Sequence, residues 1–192
     1  GLADVKVFAK EEGLTWEDGA GRVRAVPEWK EFRGKRGGAG KLAPENTLAA
    51  LRLGAHHGWR MFEFDVKLAG DGTPILMHDD TVDRTTNGSG DVRSLTATEF
   101  ATLSLRDDDG AVLDAHPPTL GEALEWASRR TVLELDVKRG VSYEDVVRDV
   151  EAANAMGRVI FITYSVDGAS RIANIAPNAM IYTTIRSVRD LD

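Results

Sequence analysis

The sequence predicts an α/β fold built as a (β/α)8 (TIM) barrel, and three observations carry that expectation. Strand-like and helix-like stretches follow one another in the order β-α-β-β-loop-α-β-α-β-α-β, and strands that alternate with helices form a parallel sheet with helices packed on it. Two of the strands, at residues 61–68 and 131–138, alternate polar and apolar residues, the period of two that puts like residues on one face. Both polar faces carry acids: Glu63 and Asp65 with Lys67 on the first, Glu134 and Asp136 with Lys138 on the second. Polar residues on the inner face of several strands fit a barrel whose site lies at the strands' C-terminal ends. A complete barrel has eight strands and about 250 residues. Six strands are legible in these 192 residues, so the chain is expected to stop before the last two, unless residues 1–31 supply them.

Residues 1–31 show no clear periodicity and are read as an N-terminal segment of unclear structure, ahead of a barrel domain at 32–192. A short strand at 31–36 runs into Gly37-Gly38-Ala39-Gly40. Pro44-Glu45-Asn46-Thr47 then opens a helix, with Asn46 as N-cap, Leu48, Leu51 and Ala55 at helical spacing, and Gly58 as the stop. The acidic strand follows, and Asp71-Gly72 turns the chain into a second strand at 74–78. Residues 79–95 are rich in turn formers, and a short helix is expected at 97–104. A helix at 119–130 places Leu120, Ala123, Leu124 and Ala127 on one face. After the strand at 131–138, Ser142 and Asp145 read as a capping box for a helix ending at Gly157. Two more strands, at 158–165 and 179–185, enclose another helix.

Composition narrows the function. Hydrophobic residues at 42% and charged residues at 29% describe a soluble globular protein, and no apolar run approaches the 18 residues a membrane span needs. A net charge of −7 without a basic run argues against nucleic acid as a partner. The absence of cysteine excludes disulfides and thiolate metal sites. The cytoplasm is the expected compartment, with the periplasm or the exterior open if a leader has been removed ahead of Gly1. Oligomeric state is not readable.

The acids carry the chemistry. Same-face neighbours on a strand lie about 6.5–7 Å apart, and two carboxylates that close repel unless a cation or water intervenes. The opposite face of the 61–68 strand holds Phe62, Phe64, Val66 and Leu68, too apolar for a strand wet on both sides. The carboxylates are therefore expected in an enclosed polar site, where a hard divalent metal accounts for the pair. A salt-bridged interior with Lys67 or Lys138 is the alternative.

Several ordered motifs resemble one family. The run from Arg36-Gly37 to Pro44-Glu45-Asn46-Thr47 looks like the HRG…PENT signature of glycerophosphodiester phosphodiesterases. Glu63-Phe64-Asp65 is similar to that family's E-x-D metal motif, and His78-Asp79 to its second catalytic histidine. Asp83-Arg84-Thr85-Thr86-Asn87-Gly88 resembles the loop that follows, Pro118-Thr119-Leu120 the entry to a helix, and Asp136-Val137-Lys138 the third metal ligand with an active-site lysine. The resemblance covers roughly residues 33–185. It implies a barrel of the phospholipase C-like phosphodiesterase type and metal-dependent hydrolysis of a glycerophosphodiester to an alcohol and glycerol 3-phosphate. Glu63, Asp65 and Asp136 would bind Mg²⁺ or Ca²⁺, both oxygen-seeking ions. Arg36, with its planar fork, and Lys138 would bind the substrate phosphate. His78 would be the acid/base group, its ordinary pKa of about 6.5 suiting proton transfer.

Two positions depart from the family pattern. Asp136 is one methylene shorter than the Glu more often found there. Lys35 stands where the family's first histidine precedes Arg-Gly. The family reaction runs in two steps: the glycerol 2-hydroxyl expels the alcohol, then water opens the cyclic phosphate, with two histidines exchanging protons. A lysine with a pKa of about 10.4 stays protonated at neutral pH. Lys35 can donate a proton or hold phosphate, but it is no base unless its pKa falls by several units. Three readings follow: a working hydrolase, a catalytically impaired or non-enzymatic binder of phosphodiesters or metal, and a lyase that stops at the cyclic phosphate.

Overall fold

The computed structural model describes residues 7–10, 13–17, 23–25, 43–56, 58–107, 109–127 and 131–184. Their strands form two hydrogen-bonded sheets. The first is an antiparallel meander of β1 (Val7–Lys10), β2 (Gly13–Glu17) and β3 (Val23–Ala25). Strands of three to five residues offer too few repeats for a period of two to register, which is why the segment 1–31 reads as featureless. The expected strand at 31–36 lies outside the described residues.

The second sheet has five strands in the order β5-β4-β6-β7-β8. These are β4 (Met61–Leu68), β5 (Pro74–Leu76), β6 (Val132–Val137), β7 (Val159–Thr163) and β8 (Met180–Thr183). β4, β6, β7 and β8 are mutually parallel. β5 instead runs antiparallel to β4, pairing Val66 with Leu76 and Leu68 with Pro74. The reason is length: the link from Leu68 to Pro74 is a tight turn with Gly72 at φ +82°, whereas a parallel crossover needs a dozen or more residues.

Among the described residues five α-helices accompany the sheet: α1 (Leu48–His56), α2 (Ala97–Phe100), α3 (Leu120–Trp126), α4 (Tyr143–Ala152) and α5 (Val166–Ile175). One face of the sheet supplies Phe62, Phe64 and Val66 of β4, Leu133 and Leu135 of β6, and Val159 and Phe161 of β7. These pack in one buried cluster with Leu51 of α1, Leu124 of α3, Val146 and Val150 of α4, and Ile172 of α5. Each such side chain taken from water contributes about 1.5–3 kcal/mol, so this contact holds the wall together. The opposite face carries Glu63, Asp65, Glu134 and Asp136. Parallel strands covered by helices on the apolar side and bearing acids on the other are a section of barrel wall. A second cluster, of Ile75, Met77, Val82, Val92 and Phe100, pins the long 77–105 excursion against β5.

Local chemistry sets the helix limits, and in several places it differs from the expectation. Thr47, not Asn46, caps α1, its hydroxyl accepting from the Ala50 N–H at 3.1 Å. The expected stop at Gly58 holds: Gly58 takes φ +91°, its N–H donates to Ala55 C=O, and the Trp59 N–H donates to Gly54 C=O, a Schellman ending. α2 is one turn, shorter than 97–104, opened by a Thr96–Glu99 capping box. α3 has a full box too, Thr119 with Glu122, and ends at Trp126. Ser142 caps α4, but the Asp145 carboxylate pairs with Arg148 at 2.6 Å rather than closing a box. α4 stops at Ala152, before Gly157, because Asn154 adopts φ +53° and the Ala155 N–H returns to Val150 C=O.

Candidate active site

The acids meet because β4 and β6 pair in parallel register, Glu63 beside Glu134 and Asp65 beside Asp136. Neighbouring strands lie about 4.8 Å apart, so a two-by-two block of carboxyl groups occupies one face. Oxygens of Glu63, Asp65 and Asp136 lie within 4.8 Å of one another. Asp65 and Asp136 are buried, each only 1% exposed, and burial of uncompensated charge is costly.

Three partners offset that cost. Lys138 Nζ, part-buried, lies 2.5 Å from Asp136 Oδ2 and 2.6 Å from Asp65 Oδ1. Asn46 clasps Asp65 twice: its Nδ2 donates to Asp65 Oδ2 at 2.9 Å, and its Oδ1 accepts from the Asp65 N–H at 3.0 Å. The Tyr164 hydroxyl donates to Asp136 Oδ2 at 2.7 Å. Burial works against the Lys138 ammonium, but its bonds to Asp136 and Asp65 and their charges outweigh it and hold the pKa above the ordinary lysine value. Burial, then the bond to Asp136, pushes the Tyr164 hydroxyl up to about 12. Burial, and then the Glu63 charge, raises Glu134 above the usual carboxylate range. Lys67, the other candidate ion partner, turns away to Asp80 at 2.6 Å.

The donor set fits a hard divalent ion. Asp65 Oδ1 and Asp136 Oδ1 are buried without a directed hydrogen-bond donor. Lys138 meets Asp65 Oδ1 as an ion pair. Buried acceptors left in this way call for a further positive partner, and with Glu63 they offer the carboxylate oxygens that Mg²⁺ or Ca²⁺ takes. Asp136, although short, reaches the cluster because its strand pairs in parallel with β4 and sets it beside Asp65.

His78 lies two residues past the end of β5. The Met77 N–H donates to Asp65 C=O at 3.0 Å, so the histidine is one residue past a bond to the acidic strand. His78 Nδ1 lies 2.8 Å from Asp79 Oδ1. Arg84 forks onto Asp79, Nε to Oδ2 at 2.6 Å and Nη2 to Oδ1 at 3.0 Å, and Nη2 also pairs with Glu45. The Arg84 bonds, with help from His78, hold the Asp79 carboxyl down to about 2 against the opposing effect of its burial. A shallow cleft beside this chain is lined by Glu45, Asn46, Met77, His78, Thr85 and Leu105.

Four of the seven expected site residues, Glu63, Asp65, Asp136 and Lys138, therefore come together, and His78 stands on the adjoining hairpin. Lys35 and Arg36 lie outside the described residues. Asn46, Tyr164, Asp79 and Arg84 are additions. Asn46 was masked by its neighbourhood, since an Asn ahead of a helix reads as a cap. Tyr164 carried one signal only, its place just past the C-terminal end of β7. Glu45, legible in the sequence only as part of a helix opening, contacts Arg84. His116 binds Glu122 at 2.9 Å, at the entry to α3 and apart from the acids.

A barrel wall with three clustered strand carboxylates and a histidine tethered on the adjacent hairpin defines an α/β-barrel protein with a candidate metal centre at its strands. The known proteins it matches make this specific. Residues 36–189 match the Glycerophosphoryl diester phosphodiesterase family, and the chain belongs to that family. The match opens at Arg36, the residue after Lys35. Human glycerophosphodiester phosphodiesterase 1 is 43% identical over 103 residues, covering 50% of this chain and 30% of the human protein. The crystal structure of a glycerophosphoryl diester phosphodiesterase from Parabacteroides distasonis aligns with a TM-score of 0.73 at 31% identity, covering 82% of this chain and 55% of that one. An Oleispira antarctica phosphodiesterase in complex with the product sn-glycerol-3-phosphate aligns at 0.63 and 26% identity, covering 79% and 65%. The chain thus spans 30% to 65% of the length of these proteins. The solved family members are TIM barrels, and the five-stranded sheet here is part of such a barrel. The homologues are phosphodiesterases, that is, hydrolases.

Proposed function

We propose that the protein hydrolyses glycerophosphodiesters to an alcohol and glycerol 3-phosphate in a metal-dependent reaction, with residues 32–192 as the catalytic part. The observation that carries this reading is the cluster of Glu63, Asp65 and Asp136 oxygens within 4.8 Å, next to a histidine held by a carboxylate. Those three residues would hold Mg²⁺ or Ca²⁺, which when bound supplies positive charge to the phosphate. Lys138, a cation at neutral pH, adds charge beside the same carboxylates and is placed to steady the negative charge that builds on phosphate oxygens. Arg36 provides a two-pronged grip on the phosphodiester. His78 takes the proton from the attacking hydroxyl or gives one to the departing oxygen, the exchange general acid–base catalysis requires. Lys35 occupies the partner position and acts as a proton donor or an electrostatic clamp.

The test is release of glycerol 3-phosphate from glycerophosphocholine with Mg²⁺ or Ca²⁺, abolished by chelation. No turnover by the protein, and none after Lys35→His, would sink the hydrolase reading. A second reading, a binder of phosphodiesters or metal without turnover, draws on Lys35 and on the way Lys138 already bridges Asp65 and Asp136. Calorimetric binding of glycerophosphocholine without product favours it, and measurable turnover excludes it. A cyclic phosphate that persists in phosphorus NMR would instead identify a lyase.

A further inference from the structure

We infer that Arg84 is a positioning residue for proton transfer: anchored on Glu45, it forks onto Asp79, which holds the His78 ring in the tautomer that leaves Nε2 available. The inference rests on the acid/base role of His78 proposed above. It begins with the contact between His78 Nδ1 and Asp79 Oδ1 at 2.8 Å. A carboxylate at neutral pH only accepts hydrogen bonds, so the shared proton belongs to Nδ1. In a neutral ring that assignment leaves the Nε2 lone pair free. Among the described residues the ring makes no other hydrogen bond.

Asp79 can do this only if its carboxylate is held at the right angle, and Arg84 holds it. Nε and Nη2 reach both Asp79 oxygens, at 2.6 and 3.0 Å, a fork that fixes the plane of the group as a single point charge cannot. Arg84 is in turn held at the same Nη2 by Glu45, 39 residues earlier in the chain. Each pair is partly exposed, with Arg84 at 52%, and an exposed ion pair alone contributes little to stability. The arrangement makes more sense as aim than as glue. Closing the loop onto the turn before α1 requires only the Glu45 contact, yet the guanidinium spends two of its donors on the residue next to His78.

The experiment is a two-bond proton–nitrogen correlation spectrum of the ¹⁵N-labelled protein, recorded at about pH 8 where a histidine of ordinary pKa is neutral. The four histidines are told apart by the signal lost in His78→Gln. The wild type should present the Nδ1–H form at His78. Arg84→Gln should move the ring towards the Nε2–H form that free imidazole prefers, and Arg84→Lys, which keeps the charge without the fork, should follow it. In the glycerophosphocholine assay, kcat should fall about tenfold or more while KM stays within about twofold, the pattern of a group acting through another. An unchanged tautomer in a folded Arg84→Gln protein overturns the inference. Should that variant fail to fold, Glu45→Gln, which removes one anchor and leaves the fork, should shift the tautomer the same way to a smaller extent, and no shift there overturns it equally. Absence of turnover in the wild type would count against the hydrolase reading alone, because the tautomer is read without catalysis.

Discussion

Replacing Asn46 with alanine removes two hydrogen bonds at once and leaves a hard backbone geometry behind. The Asn46 side chain is 3% exposed, and both of its polar atoms are engaged by Asp65. Without it, Asp65 Oδ2 loses a donor, and a buried bond to a charged group is worth about 1.5–3 kcal/mol. The Asp65 N–H is orphaned too, at about 1–3 kcal/mol. Asn46 also sits at φ +56°, where alanine suffers a clash of about 1–2 kcal/mol that asparagine offsets by local hydrogen bonding. Some relaxation and entry of water will recover part of this, so a loss of about 3–5 kcal/mol is expected, a large share of the 5–15 kcal/mol typical of a domain. Urea unfolding followed by circular dichroism measures it. Asn46→Gly serves as the internal control: it loses the same bonds but accepts the positive φ, and should be about 1 kcal/mol less destabilised than the alanine variant. A loss below about 1 kcal/mol for Asn46→Ala, or equal stability of the two variants, would refute the reasoning.

Three further outcomes follow from the same geometry. Gly54→Ala puts a methyl 2.4 Å from Phe62 Cε1 and 2.9 Å from Trp59 Cε3; overpacking of about 1–3 kcal/mol exceeds the gain of about 1 kcal/mol in helix propensity, and the midpoint of thermal unfolding should fall. Ser142→Ala should cost about 1 kcal/mol by chemical denaturation, since it uncaps α4. Asp79 has its pKa lowered from 3.8 to about 2 in the fold, so its stabilising contribution is complete above about 4 and is lost as the pH falls towards 2. Asp79→Asn should therefore unfold with a shallower dependence on acid across that window than the wild type, and parallel acid titrations by fluorescence would show otherwise if Arg84 does not hold the carboxylate charged.

The sheet was legible where its strands are long and two-faced. β4 and β6 alternate across six to eight residues, enough for the period to speak and for Glu63, Asp65 and Asp136 to be placed on one face before any register was known. β5 was legible as a strand but not in its direction, because direction depends on how little chain separates Leu68 from Pro74. The ends of α2 and α4 were misjudged for a related reason: Asn154 stops α4 by adopting a positive φ, a backbone choice that composition does not announce. The largest omission in the site has the same origin. Asn46 in a left-handed conformation cannot cap α1, and the hydroxyl of Thr47 takes over that task, freeing the amide for Asp65. Tyr164 and Arg84 reach their partners across 28 and 5 residues, and the longer contact exists only once β6 and β7 lie side by side.

The turn before α1 has a metric consequence. Glu45 reaches through Arg84 and Asp79 to the imidazole, while Asn46, the next residue, grips the carboxylate strand. Both halves of the site are thus gauged from consecutive Cα atoms, which a trans peptide holds about 3.8 Å apart. The contacts that reach the imidazole and those that reach the acid cluster therefore begin one peptide apart. A displacement of the turn before α1 therefore disturbs the Asp65 clasp and the Arg84–Asp79 support of the imidazole together.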